Sequence, residues 1–401
     1  MCVSSEPQVP AGSTRPPDLG EIVRRHGASY GASHAVSLLQ QRVLRAIASC
    51  RTAALGGHLE QCDHCGHRRA VYHSCRNRQC PKCQLLAQED WLEARRADLL
   101  PIPYFHVVFT LPHALNRLAL ARPRVIYDLL FRAASDTLKT FARDPKHLGG
   151  ELGFTVILHT WSQTLSQHIH LHCIVTGGAL ASDASRWIPP RHPSFLFPVR
   201  ALAKVFRGKF LDGLRQRFDR GELGSDDSLP ALLHTLRGQD WVVYAKPPFA
   251  GPESVLAYLG RYTHRIAISN RRILRVNGDR VAFRYRDYAD QKRLKVMEVS
   301  VQELIRRFLL HVLPKGLVRI RHYGLLANRS RRQRIARCRE LLAAQAPPPL
   351  PASESLFEKL LRLTGVDLRL CPACSEGRMV VIAEVDKLDG ATAPIEILDS
   401  S

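Results

Sequence analysis

Apolar residues in the first part of the chain follow the spacing of amphipathic helices. Between residues 19 and 55 they recur every three or four positions, as expected when one helical face is buried. The residues that carry this pattern are Leu38, Leu39, Val43, Leu44 and Ile47. A further helix is predicted at "QEDWLEARRADLL", which starts at residue 88. The pattern therefore predicts a helical N-terminal region.

Runs of aromatic and β-branched residues predict a sheet. "YFHVVFTLP" is bracketed by Pro103 and Pro112, and "GFTVILHTW" and "HIHLHCIV" follow further along the chain. Later, "RVAFRYRD" alternates apolar residues on one face, and "LKVMEV" is predicted to be the strand that follows it. Ser300 and Glu303 have the spacing of a capping box that opens the helix "VQELIRRFLLHVL". Strands and helices mixed in this way predict an α+β fold.

Changes in composition divide the chain into six predicted segments. The first is rich in Pro, Ser and Gly and is expected to be a disordered lead-in, and "APPPLPASES" is expected to be a linker. The others are a helical, cysteine-rich domain, a larger sheet-containing domain, a basic Arg-rich helix and a small C-terminal region with "CPAC". In chain order the predicted segments are 1–18, 19–100, 101–325, 326–345, 346–355 and 356–401.

The charge of the protein favours a polyanionic partner. The formal net charge is +22, which makes nucleic acid the first candidate. A membrane is not expected as partner, because no apolar run approaches the length of about 18 residues that spanning requires. The N-terminus also lacks the basic-then-apolar order of a signal peptide. We therefore expect a protein of the cytoplasm, associated with the nucleoid when bound to DNA. This is a reducing compartment, where its 11 cysteines are more often metal ligands or core residues than disulfides.

Two C-x-x-C pairs in the N-terminal domain predict structural zinc. "CDHC" supplies Cys62 and Cys65, and "CPKC" supplies Cys80 and Cys83, which suit one tetrahedral Zn²⁺ ion. The alternative is four buried cysteines without metal. Further candidate ligands in the same segment, whose spacing specifies no unique arrangement, are Cys75, His58 and His67. Nearby basic residues favour a DNA-binding ribbon over a catalytic zinc site.

The third C-x-x-C pair lies in the C-terminal region. Cys371 and Cys374 form half a site, and no second pair in the tail matches them. Zinc shared with a distant or intermolecular partner and a pair of free thiols are both compatible with this pattern.

Three histidines alternate on one predicted strand. His168, His170 and His172 would share one face, and neutral imidazoles there are natural ligands for a divalent ion. His168 and His172 would lie roughly 13 Å apart at about 3.3 Å per residue, so only a neighbouring pair can bind one ion directly. The pattern is compatible with a catalytic metal and with a polar sheet face.

Two tyrosines lie one helical turn apart in "PESVLAYLGRYTHR". Tyr258 and Tyr262 share a helix face with apolar neighbours, so both rings could simply pack in a core. The alternative is that one phenolic oxygen attacks a DNA phosphate held by the histidine-bound metal. Predicted phosphate contacts near the tyrosines come from Arg261, Arg265, Arg271 and Arg272, with His264 beside them. An Arg-rich stretch from Arg319 to Arg339 contributes further predicted DNA contacts from Arg329, Arg331 and Arg332.

Several motifs together resemble a known family. "CRTAALGGHLEQCDHCGH", "SCRNRQCPKCQ", "LHTWSQTLSQHIHLHCIVTGGAL", "YLGRYTHRIAISNRR" and "RFLLHVLPKGLVRIRHYGLLANRSRR" occur in order between residues 20 and 340. The chain resembles the rolling-circle transposases of the insertion sequence ninety-one family. The resemblance implies a zinc-binding DNA-recognition domain at 19–100 and a catalytic domain of the HUH endonuclease type at 101–325. The implied fold is a central antiparallel sheet with the histidine motif on an inner strand and the tyrosine helix nearby.

The resemblance also implies site residues. His170, Leu171 and His172 match a His-x-His motif that binds Mg²⁺ or Mn²⁺, and Tyr258 and Tyr262 match the pair of tyrosine nucleophiles. His168 matches a preceding family histidine, and Ile169 stands where many relatives have proline. The motif transfers no third metal ligand; the candidates are His106, His159, Gln163 and His264.

The function implied by the resemblance is rolling-circle DNA transposition. Such an enzyme nicks and rejoins single-stranded DNA at element ends through a 5′-phosphotyrosine intermediate, and its partners are those ends and the target DNA. Two alternatives stand beside it. One is a non-catalytic zinc-ribbon DNA-binding protein, and the other is a rolling-circle replication initiator with the same nick-and-join chemistry.

Overall fold

The structure is a computed structural model that describes residues 17–224, 228–249, 251–264, 266–345 and 354–387. The predicted lead-in up to residue 16, most of the predicted linker and Arg265 lie outside the described residues. Four residues of one helix are placed by their backbone only, and their side chains are not described: Pro252, Glu253, Arg261 and Tyr262.

The N-terminal region forms helices and a hairpin, and the helical prediction there is confirmed. Asp18 caps the first helix by accepting a hydrogen bond of 3.0 Å from the Glu21 amide. Ser37 and Gln40 form a reciprocal capping box at the second. In order, the elements are α1 Leu19–Ser33, α2 Leu38–Ser49, β1 Gly57–Cys62, β2 Arg68–Tyr72 and α3 Gln84–Arg96.

The middle of the chain supplies most of the central sheet and the long helices. In order, its elements are β3 Tyr104–Thr110, α4 Asn116–Ala121, α5 Pro123–Arg143, β4 Gly153–Trp161, β5 Gln167–Thr176, β6 Ala179–Leu180, β7 Trp187–Ile188, α6 Val199–Asp219, α7 Leu229–Gly238, β8 Val243–Lys246 and α8 Pro252–Thr263. The remaining elements are β9 Ile273–Asn277, β10 Arg280–Asp287, β11 Arg293–Ser300, α9 Val301–Leu309, β12 Ile320–Gly324, α10 Arg331–Leu341, α11 Leu356–Thr364 and β13 Met379–Val385. The strands and helices that the sequence predicts lie close to these bounds.

A five-stranded antiparallel sheet forms the centre of the molecule. Its strand order is β12-β4-β5-β3-β8, which places the histidine strand β5 in the middle. Because side chains alternate along a strand, Leu171, Cys173 and Val175 point to one face of the sheet, and the histidines point to the other. The α+β prediction and the inner position of the histidine motif are confirmed.

The two faces of this sheet bury different cores. On one face, apolar residues of β3, β4 and β5 pack against α5, α6 and α7, with the aromatic rings of Phe109 and Phe206 in edge contact at 4.9 Å. On the other face, Ile157 and Ile174 pack with residues of α8, among them Val255 and Tyr258, and with α10. The tyrosine helix therefore lies on the same face of the sheet as the histidines.

A second sheet, with strand order β11-β10-β9, joins α1, α2 and α9 in a separate core. Ser300 caps α9 by accepting a hydrogen bond of 3.1 Å from the Glu303 amide, as its sequence spacing predicts. The Glu303 carboxylate does not return the bond. It accepts hydrogen bonds from Arg306 and Arg307, which lower the pKa of that carboxyl to about 2.

The C-terminal segment adds a strand to the N-terminal hairpin. β13 pairs antiparallel with β1, so the third sheet has the order β13-β1-β2. Among the described residues, none of the helices combines the length and the apolar composition that crossing a bilayer requires.

Candidate metal and tyrosine site

Three histidines from two neighbouring strands form a cluster that could hold a metal ion. His170 and His172 stand on β5, and His159 stands on β4 directly opposite His170. One nitrogen of each ring lies within 4.8 Å of the others. The Nε2 atoms of His170 and His172 are 3.1 Å apart. Ligands at right angles around an ion with bonds of about 2.1 Å lie about 3.0 Å apart, so this pair fits adjacent coordination positions.

Hydrogen bonds orient the two histidines of the motif. Nδ1 of His170 lies 2.8 Å from the carbonyl oxygen of His168, to which it donates. The Nε2 atom of that ring is then unprotonated when it faces an ion. Nδ1 of His172 lies 2.9 Å from Nε2 of His106 and 3.1 Å from the phenolic oxygen of Tyr258. If this nitrogen donates as well, both rings present Nε2 to the same point.

Tyr258 lies directly behind the histidine cluster. Only 8% of its surface is exposed, and its phenolic oxygen lies 2.7 Å from Nε2 of His106. Burial, aided by Lys246 and His170, lowers the pKa of His106 to about 3. His106 is therefore neutral, and in the tautomer protonated on Nδ1 its Nε2 accepts the phenolic proton. Tyr262 follows one turn later in α8, and its side chain is outside the described part of the helix.

Of the four candidate third ligands, the structure brings His159 to the cluster. Its ring contacts that of His172 at 4.6 Å and stacks on Trp161 at the same distance. His106 contacts His172 and Tyr258 instead. His264 lies beside Thr263 and Trp91, and burial next to Arg319 lowers its pKa to about 4. Gln163 lines the groove described next.

An open groove of about 540 Å³ leads to the histidines. Its walls come from the end of β4, from β5 and from the β10–β11 turn, including Trp161, Tyr285 and Tyr288. Tyr288 is 64% exposed. His168 lines this groove but lies outside the cluster of three. The sequence did not indicate the β10–β11 turn as part of the site, because its approach to β5 depends on the tertiary fold.

The prediction of one zinc site from Cys62, Cys65, Cys80 and Cys83 is wrong in its pairing. The structure separates the two pairs into two clusters of four cysteines each. Cys80 and Cys83 join Cys50 and Cys75, and the sulfur atoms of Cys50 and Cys83 are 3.5 Å apart. Hydrogen bonds from Cys75 and Cys80 lower the pKa of the Cys50 thiol to about 6, which favours a thiolate.

Cys62 and Cys65 form the other cluster with Cys371 and Cys374. Neither His58 nor His67 belongs to a cluster in the described residues. His58 contacts Glu60 at 3.1 Å, and the carbonyl oxygen of His67 accepts a hydrogen bond from the Cys62 amide.

The arginines predicted to bind DNA lie in different environments. Arg271, Arg329 and Arg332 are exposed. Arg272 donates to the carbonyl oxygens of Gln163, Ala267 and Arg284. This geometry favours a structural role for Arg272 over the predicted phosphate contact.

Arg331 has a similar structural environment. It pairs with Asp98 at 3.2 Å and donates to the side chain of Asn328. Arg261 and Arg265 remain predictions, because the structure describes neither side chain.

Comparisons with known proteins place the chain among transposases. A family model described as "Putative transposase" matches residues 153–334, and one described as "Transposase zinc-binding domain" matches residues 22–111. The putative transposase y4qJ of Sinorhizobium fredii is 51% identical over 96% of this chain and 99% of its own length. The transposase for insertion sequence element IS801 of Pseudomonas savastanoi pv. phaseolicola is 28% identical over 85% of this chain and 82% of its own length.

A solved structure was also matched. The conjugative relaxase TrwC in complex with mutant OriT DNA is 16% identical, with a TM-score of 0.24, over 38% of this chain and 70% of that chain. At this TM-score the likeness is too weak to support a functional argument.

Proposed function

The chain belongs to the transposases of the insertion sequence ninety-one family, with their zinc-binding domain at its N-terminal end, and from this premise we propose that it nicks and rejoins single-stranded DNA at element ends through a 5′-phosphotyrosine intermediate. The observation that carries the proposal is the hydrogen bond between Tyr258 and His172. It joins a predicted nucleophile to a cluster whose spacing fits one divalent ion. Any buried tyrosine hydroxyl needs a polar partner, but here the partner belongs to the histidine cluster itself.

The metal in this proposal is Mn²⁺ or Mg²⁺. His159, His170 and His172 would hold it, and an imidazole set suits Mn²⁺ better than Mg²⁺, which prefers oxygen ligands. When bound, the ion supplies Lewis-acid polarisation of a phosphate oxygen. The protein orients the two β5 ligands through the His168 carbonyl and the Tyr258 hydroxyl.

The covalent step exchanges one phosphate ester for another. A tyrosine Oη attacks the scissile phosphorus, the bond from phosphorus to the 3′ oxygen breaks, and the phenolic proton leaves as the 3′ hydroxyl forms. The 5′ end stays on the tyrosine. Attack by the 3′ hydroxyl of another strand reverses the step and rejoins DNA, so no external energy source is required.

The walls of the groove suit a single strand. Tyr285 and Tyr288 line it, and aromatic rings there can stack on bases that are not paired. The exposed arginines Arg271, Arg329 and Arg332 are proposed to contact phosphates elsewhere on the surface. Substrate binding in this proposal thus combines stacking near the metal with charge around it.

We expect Tyr288→Ala to weaken binding of single-stranded DNA by about 5-fold to 150-fold, because one stacked base contributes about 1–3 kcal/mol. The measurement is fluorescence anisotropy with a labelled end oligonucleotide at fixed salt. Tyr244→Ala is the matched control, since Tyr244 is 52% exposed but does not line the groove. Equal losses in the two variants would contradict a stacking role for Tyr288.

The first cysteine cluster is proposed to hold structural zinc. Cys50, Cys75, Cys80 and Cys83 supply four thiolates and no open position, as in sites that stabilise a fold. The cluster adjoins the core that packs α1 and α2 against α9. Zinc there would fix the zinc-binding domain to the second sheet.

A direct test of the proposal is covalent capture of DNA. We expect protein with Mn²⁺ to cleave single-stranded DNA that carries the element's end and to remain attached to the 5′ side, whereas the same sequence as a duplex is not cleaved. Denaturing electrophoresis with 5′ and 3′ labels measures both products. Binding without any adduct, over several end sequences and with either metal, would favour the non-catalytic alternative.

A further inference from the structure

The C-terminal C-x-x-C pair lies next to the first N-terminal pair in space, although about 300 residues separate them in the sequence. We propose that Cys62, Cys65, Cys371 and Cys374 bind a second zinc ion, which fastens the C-terminal segment, residues 354–387, to the N-terminal sheet. The proposal goes beyond the DNA chemistry and does not depend on it. The matched zinc-binding family region, residues 22–111, contains only half of this site.

The distances between the sulfur atoms fit one tetrahedral ion. The sulfur atoms of Cys62 and Cys374 are 3.8 Å apart, and those of Cys65 and Cys371 are 3.6 Å apart. Zinc–sulfur bonds of about 2.3 Å in a tetrahedron place the sulfurs about 3.8 Å from each other. A disulfide requires about 2.05 Å, so these pairs are not disulfides.

Backbone amides stabilise thiolates at both halves of the cluster. The sulfur of Cys62 accepts hydrogen bonds of 3.4 Å from the amides of His64 and Cys65. The sulfurs of Cys371 and Cys374 accept matching bonds of 3.4 Å from Ala373 and Gly377. Both turns thus donate N–H···S bonds to cysteines of the cluster, which favours the thiolate form that binds zinc.

Gly377 allows the two turns to approach. A Cβ atom at this position would lie 2.4 Å from the Cys62 sulfur and 2.6 Å from Cβ of His64. Asp63 makes two hydrogen bonds to the backbone of Arg378 in the same turn. Its carboxylate accepts one of 2.7 Å from the Arg378 amide, and its own amide donates one of 3.0 Å to the Arg378 carbonyl. The second half of the site is therefore built against the first, with no room for an added methyl group.

The C-terminal segment, residues 354–387, contacts helix α3, which packs on the tyrosine helix α8. On α11, Lys359 binds Asp90 and Glu93 of α3 at 2.8 Å, and Arg362 binds Glu89 of α3 at the same distance. Helix α3 in turn packs on α8, where a Cβ atom at Gly260 would lie 3.1 Å from Leu92. The second zinc thus supports α3 and, through it, the position of the tyrosine helix.

The test is the zinc content of the full chain, purified under reducing conditions. Mass spectrometry of metals should give two zinc ions per wild-type chain and one in the Cys371→Ser, Cys374→Ser double variant. Zinc X-ray absorption of the wild type should show sulfur ligands only, at about 2.3 Å. An unchanged zinc content in the double variant would overturn the proposal, because the zinc of the wild type would then lie elsewhere.

A second variant keeps every cysteine. Gly377→Ala should lower the zinc affinity of the second site only, so that a chelator removes one zinc faster than from the wild type. Gly208→Ala is its control, because a Cβ atom there meets nothing within 4 Å. Hydrogen exchange should then accelerate in β1, β13 and α3 of Gly377→Ala. Wild-type chelation and exchange rates in that variant would also overturn the proposal, whatever its effect on DNA cleavage.

Discussion

His170→Ala and His172→Ala are each expected to reduce metal-dependent DNA cleavage about a thousand-fold. A Lewis acid at a phosphate contributes several kcal/mol to transition-state stabilisation, and each loss of about 1.4 kcal/mol costs a factor of ten in rate. Each variant removes one of the two Nε2 atoms that lie 3.1 Å apart. The measurement is single-turnover adduct formation at saturating DNA over a range of Mn²⁺ concentrations.

His168→Ala is the matched control for these variants. It removes a histidine of the same strand and the same face of the sheet that lies outside the cluster of three. The carbonyl that orients His170 belongs to the backbone and is kept. We expect a change of less than about ten-fold, because only a groove contact is lost. Wild-type cleavage by His170→Ala, or equal losses in His168→Ala, would refute the metal assignment.

His159→Ala tests whether His159, which the structure selects from the four candidate third ligands, binds the metal. It should weaken Mn²⁺ binding, measured by calorimetry, as strongly as His170→Ala does. If His159 merely packs against Trp161, with which it stacks at 4.6 Å, the variant should lose stability but keep its metal affinity.

Local pattern was enough to predict most of the strands that carry the site. β4 and β10 have the bounds of the apolar runs that predicted them, because alternation and β-branched residues act within one strand. The histidine pair on β5 was likewise visible in the sequence. Its partner His159 was one of four candidates, since the register that sets it opposite His170 is a property of two strands.

The cysteines show how sequence proximity can mislead. Cys80 is closer in sequence to Cys65 than Cys371 is, yet the β1–β13 pairing brings the distant pair to β1. Cys50 lies at the end of α2 and belongs to no C-x-x-C motif, so spacing alone did not single it out. Ligand sets assembled by tertiary contacts cannot be derived from spacing within one segment.

The hydrogen bonds of Tyr258 favour a supporting role for this tyrosine. Tyr258 Oη contacts Nδ1 of His172, whereas Nε2 on the other edge of that ring faces His170. In this conformation the Tyr258 hydroxyl thus lies behind His172, a candidate metal ligand, and helps to orient its ring. Removing such a supporting hydrogen bond lowers metal affinity by about 10-fold to 100-fold in other sites.

The path of α8 brings its next turn towards the histidine cluster. Just before the helix, the Phe249 amide donates to the carbonyl of Tyr104 in β3. At its end, the carbonyl of Thr263 accepts a bond of 2.6 Å from Arg319, next to β12. The helix therefore crosses from β3 towards β12, over the strands that carry the three histidines. We propose that Tyr262, one turn beyond Tyr258, makes the first cut.

Tyr262→Phe is therefore expected to abolish the first covalent adduct while leaving Mn²⁺ affinity unchanged. Tyr258→Phe is expected to lower Mn²⁺ affinity, to form the first adduct once Mn²⁺ is raised to saturation, and to fail in transferring a second strand. Calorimetry with Mn²⁺ and adduct assays with one and two labelled strands separate these effects, and the double variant should form no adduct. In the opposite result, Tyr258→Phe would block the first adduct at saturating Mn²⁺ and Tyr262→Phe would form it. That result would show that Tyr258 acts first, after its hydroxyl has left the hydrogen bonds to His106 and His172. An adduct in the double variant would exclude both residues as nucleophiles.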